Sequence, residues 1–138
     1  MYEYRATIRR VVDGDTVDVT LDLGFNILYN SRIRLLGIDT PESRTRDLEE
    51  KARGLAAKDR VKELCPVGST VTIKTTKDGR GKLGRILGEI LIPGDHPNQS
   101  VSVNKTLVIE GHAVDYFGGK KPAKKKIINP DHIPTGPL

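Results

Sequence analysis

The stretch from Thr16 to Leu23 constrains this chain most. Val17, Val19, Leu21 and Leu23 alternate with Thr16, Asp18, Thr20 and Asp22, and a period of two marks a β-strand with one buried face. A first strand is predicted over residues from about 5 to 12, and Asp13-Gly14 supplies the turn between the two. Asp15 opens the second strand in phase with its apolar residues, so its carboxylate points toward the interior or its mouth. That placement is costly for a carboxylate without a partner. Asp18 and Asp22 read as solvated strand residues.

The rest of the chain continues the pattern. A turn is expected near Gly24-Phe25-Asn26, then a third strand from about Ser31 to Ile38 that ends in Asp39-Thr40-Pro41-Glu42. Pro41 removes a backbone donor and drives Thr40 into extended geometry, so the strand stops in a stiff loop. Leu48 to Cys65 reads as a helix with Ala57, Val61, Leu64 and Cys65 on one stripe, stopped by Pro66 and Gly68. Gly54 weakens its middle. Val71, Ile73 and Thr75 suggest a fourth strand, Arg85 to Ile92 a fifth, and Val103 to Glu110 a short helix closed by Gly111. Five strands with a helix between the third and fourth match the mainly β, five-stranded Greek-key barrel of the OB-fold, with two or three short helices. The expected division is a domain over residues 1–117 and a Gly/Pro/Lys-rich basic tail over 118–138, whose composition cannot build a core.

Composition narrows the function classes. With no tryptophan and two phenylalanines among 138 residues, the core must come from Val, Ile, Leu and Ala. Lys and Arg number 23 against 18 Asp and Glu, a balance that favours a polyanionic partner. The single cysteine, Cys65, excludes an internal disulfide and a multi-thiolate zinc site and reads as a packed thiol. His96, His112 and His132 have no metal-ligand spacing. No apolar run approaches the roughly 20 residues that span a bilayer. No secretory h-region follows the first residues, so a cytoplasmic location is expected, with export by another route left open.

Three segments carry the chemistry: Asp13-Gly14-Asp15-Thr16, Arg34 through Glu42, and Gly84-Arg85. Phosphodiester hydrolysis requires a positioned water, a base for its proton, and positive charge where the phosphorane oxygens gain electrons. A hard divalent cation on oxygen ligands orients the water and polarises the phosphoryl group. Asp15 and Asp39 are candidate ligands, Glu42 a candidate base, and Arg34 and Arg85 two guanidinium forks for phosphate. Each has a simpler reading as well, as turn residue, loop cap or charge balance.

In order along the chain, Asp-Gly-Asp-Thr, Arg-Leu-Leu-Gly-Ile-Asp-Thr-Pro-Glu and Lys-Leu-Gly-Arg resemble the staphylococcal nuclease (thermonuclease) family, from about Arg5 to Ala113. The resemblance implies one Ca²⁺ held by Asp15, Asp39 and the backbone carbonyl of Thr40. It implies Glu42 as general base, Arg34 and Arg85 on the scissile phosphate, and Lys82 on a neighbouring phosphate. It further implies cleavage of single-stranded or frayed DNA and RNA with little sequence preference, leaving 3′-phosphates, by a monomer. The sequence departs from the family where Leu83 replaces a tyrosine, where Tyr116 and Phe117 are offset from a base-stacking tyrosine, and where the tail replaces a long C-terminal helix. The alternative is a catalytically inactive barrel that binds single-stranded nucleic acid. A purely structural or inhibitor-like domain has no positive support.

Overall fold

The computed structural model describes residues 2–77 and 86–116. The strands are β1 (Tyr2–Asp13), β2 (Thr16–Asp22), β3 (Leu28–Leu35), β4 (Ile38–Asp39), β5 (Thr70–Lys77), β6 (Ile86–Pro93), β7 (Ser100–Ser102) and β8 (Val114–Asp115). The helices are α1 (Leu48–Leu64) and α2 (Val103–Ile109).

Antiparallel pairing runs β3-β2-β1-β5-β6, and a parallel pairing of β3 with β6 closes the ring. The result is the expected mainly β, five-stranded barrel of the OB type with two helices. β7 extends the edge of β6, and β4 pairs with β8 beside the barrel. The alternation sets the inside. Val17, Val19, Leu21, Ile33, Leu35, Ile73 and Ile90 are buried with Ala6 and Ile8, and full burial of such side chains stabilises by about 1.5–3 kcal/mol each.

The third strand lies earlier than Ser31–Ile38. The β2–β3 hairpin pairs out to Asp22 and Leu28, and Gly24, Phe25 and Asn26 all take left-handed backbone at its tip. At the other end Gly37, with φ 81°, breaks the strand, so Ile38 and Asp39 form β4 instead. The periodicity gives no sign of β4, β7 or β8. Arg85, expected to open the fifth strand, lies outside the described residues, as does the tail.

α1 follows the predicted span and packs Gly54, Ala57 and Val61 inward. Asp47 caps it by accepting from the amides of Glu49 and Glu50. Cys65 is the expected packed thiol, and burial pushes it up to about 11. Arg60 of α1 holds Glu110 after α2 at 2.7 and 2.9 Å. Buried Asn104 joins α2 to the barrel: its side chain accepts from the Ile90 amide and donates to the carbonyls of Leu36 and Gly88.

Asn104→Ala removes a buried side chain and the three hydrogen bonds it makes, so urea unfolding should give a loss of about 2–4 kcal/mol; a loss under about 1 kcal/mol refutes that role. The hydrogen bond from Arg60 holds the Glu110 carboxyl below its ordinary 4.5, against the opposing effect of burial. A lowered folded value means the pair stabilises above 4.5 and is lost as pH falls through the folded value. Glu110→Gln should therefore flatten the stability–pH curve below about pH 4.5 and leave its shape above about pH 6 unchanged.

Candidate active site

The site lies at the barrel rim where the β1–β2 turn meets the end of β3. Arg34 is the hub. Its Nη1 donates to the carbonyls of Ile38 at 2.9 Å and Leu35 at 3.1 Å, which fixes the plane of the guanidinium and the turn that delivers Asp39. Its Nη2 lies 3.2 Å from Asp39 Oδ1 and 3.6 Å from Asp15 Oδ2. Asp39 is 1% exposed, and Thr40 is buried beside it. β8 fixes their backbone from the far side through the pairing of Asp39 with Val114.

Asp15 has the partners its placement demands. Its carboxylate accepts the Thr40 amide at 3.1 Å and the Thr16 hydroxyl at 3.1 Å. Burial alone pushes this carboxyl up. The Arg34 charge and the bonds from Thr40 and Thr16 more than reverse that, and the net shift is downward. Asp15 is therefore ionised at neutral pH, as an oxygen ligand for a hard cation must be.

Glu42 sits three residues beyond Asp39 on the exposed side of the loop. Its amide donates to Glu50 Oε2 of α1 at 3.1 Å. A Cβ on Gly54 would stand 2.4 Å from the Glu42 carbonyl oxygen and 2.7 Å from the Ser43 amide, so only glycine lets the helix lie against this loop. Gly14 has the same function on the other side: its Cβ would stand 2.8 Å from Ala57 Cβ and 3.1 Å from the Thr40 side chain. Asp13, expected only as a turn residue, accepts the Ser43 hydroxyl and pairs with Arg44 at 3.8 Å.

The structure thus brings together Asp15, Arg34, Asp39 and Thr40, with Glu42 on the same loop. Arg85 and Lys82 lie outside the described residues, as do Leu83 and Phe117. Sequence reasoning missed Gly54, Glu50 and Asp13 as supports. Gly54 did leave a signal, since a glycine in a helix costs about 1 kcal/mol and wants a packing reason.

The family model for the staphylococcal nuclease homologue matches residues 32–130. The chain belongs to the staphylococcal nuclease homologue family. It is 30% identical over 120 residues to Endonuclease YhcR of Bacillus subtilis, matching 83% of this chain and 9% of that protein. It is 30% identical over 123 residues to the Micrococcal nuclease of Shigella flexneri, matching 87% of this chain and 63% of the relative. Against the SPbeta prophage-derived endonuclease YokF of Bacillus subtilis the identity is 36% over 110 residues, 78% of this chain and 32% of the relative. In each case the match spans less than two thirds of the relative.

As to a metal, the donor set fits a hard cation. Two carboxylates and a main-chain carbonyl supply oxygen only. Among the described residues no group of three His, Cys, Asp or Glu side chains forms a metal cage.

Gly54→Ala should destabilise by about 1–3 kcal/mol through overpacking and displace the Glu42 loop. Chemical denaturation checks the first, and amide-exchange protection of residues 40–44 checks the second; unchanged protection would refute the close approach of helix and loop.

Proposed function

We propose that this chain is a Ca²⁺-dependent nuclease that hydrolyses phosphodiester bonds of DNA and RNA, preferring single strands and showing little sequence specificity. The observation that carries the reading is the Arg34 fork held between two largely buried carboxylates, one from the β1–β2 turn and one at the start of the loop that bears Glu42. The nuclease relatives support it.

Asp15, Asp39 and the Thr40 carbonyl are assigned to the cation, which when bound supplies charge to polarise the phosphoryl oxygen and orient water. Glu42 accepts a proton from the attacking water. The water oxygen bonds to phosphorus, the bond from phosphorus to the 5′ oxygen breaks, and that oxygen takes a proton from solvent, leaving a 3′-phosphate. Arg34 donates to the phosphoryl oxygens as their charge rises. Its plane is already fixed by the Leu35 and Ile38 carbonyls, so it need not reorganise. Arg85 is assigned as the second fork and Lys82 to a neighbouring phosphate. One polypeptide supplies every group named, so the chain is proposed to act as a monomer.

Heat-denatured DNA and RNA should be cut with Ca²⁺ and left intact with EDTA. Glu42→Gln should slow cleavage by about two to four orders of magnitude. No cleavage by folded protein with any divalent cation would sink the reading. Retained binding in that case would select a barrel that only binds single strands.

A further inference from the structure

The outer face of the β1–β2–β3 sheet carries a positive patch on the same strand as Arg34. Ile33 and Leu35 point into the barrel, so Arg32 and Arg34 share the opposite face. The register sets Thr16 beside Arg34, Asp18 beside Arg32, and Arg10 beside Asp18 from β1. Between Ile8 and Arg10 β1 is bulged, an arrangement in which two residues oppose one. Arg9 and Arg10 are both exposed there, while Ile8 and Val11 on either side are buried.

Asp18 registers what this does. Arg32 holds it with two bonds, at 2.8 and 3.3 Å. Its carboxyl is kept below the ordinary range first by that bond, against a smaller effect of burial, and then by the charges of Arg32, Arg10 and Arg9. Three arginines thus face one carboxylate.

The same hairpin ends in Phe25, 95% exposed with a left-handed φ of 56°. Left-handed backbone at a bulky residue is strained, and an aromatic ring left in water recovers none of that cost. Continuity with the arginine face identifies the occupant, because arginines that neutralise phosphates, followed by an exposed ring on which a base can stack, suit single-stranded nucleic acid. β2 spans roughly 20 Å from rim to tip, enough for several nucleotides.

We propose that single-stranded nucleic acid engaged at Arg34 continues along the outer face of this hairpin, with phosphates against Arg32, Arg10 and Arg9 and a base stacked on Phe25. The proposal rests on the nuclease reading for its starting point. It adds a strand-binding track that sets how long a substrate the chain prefers.

The test is fluorescence anisotropy with oligodeoxythymidylates of about 4 and about 16 nucleotides, lengths that bracket the site of one such barrel, in the Glu42→Gln chain so that nothing is cut. Arg9→Gln with Arg10→Gln, and separately Phe25→Ser, are added to it. Each should weaken the longer oligonucleotide by about tenfold and leave the shorter one unchanged. The arginine pair should also lower the salt slope by about 0.7 for each phosphate it no longer neutralises. If both variants bind the longer oligonucleotide as their parent does while the wild-type chain cleaves, the track is wrong and the nuclease reading stands. If the wild-type chain cleaves nothing yet the variants lose the longer oligonucleotide, the track stands and the nuclease reading falls. Concentration-dependent dimerisation abolished by Phe25→Ser, with the longer oligonucleotide bound as before, would assign the tip to a second copy and overturn the proposal.

Discussion

Asp15 and Asp39 come to the barrel rim from strands that follow different turns, and Arg34 joins them. Carboxylates this buried need a compensating charge, and removing one partner of such a group typically costs about 3–5 kcal/mol. The same guanidinium closes on the Leu35 and Ile38 carbonyls, so it also ends β3 and aims Asp39. The other face of β3 carries Ile33 and Leu35 into the core, and the strand pairs with β6 to close the barrel. Barrel closure and the charge balance of the site are thus built on one strand.

The second constraint is steric. α1 lies against the site loop because Gly54 and Gly14 carry no Cβ where one would strike Glu42, Ala57 or Thr40. Glu50 then receives the Glu42 amide, and Asp13 receives the Ser43 hydroxyl. Two glycines and two acidic side chains hold the loop from both sides. The loop has little regular structure of its own, so its geometry is borrowed from the helix and the β1–β2 turn.

The barrel strands were legible because Val17, Val19 and Leu21 repeat with the pleat, and the Asp-Gly turn marks where β2 begins. Asp15 was legible too, since its phase predicted a half-buried carboxylate in need of a partner, and Arg34 and Thr40 provide one. β4 and β8 were not, because two-residue strands carry no periodicity and their pairing joins residues far apart in sequence. The end of β3 was misplaced because apolar Leu35, Leu36 and Ile38 read as one run, whereas Gly37 turns the chain between them. Asn104 gave no local signal at all, because its three partners are set by the closed barrel.

Arg34 divides its donors in a way that bears on how the proposed chemistry works. The bonds from Nη1 run to main-chain carbonyls and cannot be released without moving the turn that carries Asp39. The contacts from Nη2 run to carboxylate oxygens of Asp39 and Asp15, the residues proposed to hold the cation. In the proposed substrate complex the Nη2 edge would therefore be the exchangeable one, and the phosphate contact would fall to it while Nη1 keeps the frame. A lysine could balance the charge of the two carboxylates, but its single ammonium lacks the planar fork that lets one nitrogen hold the turn while the other is exchanged. The identity of Arg34 follows from that geometry as much as from its charge.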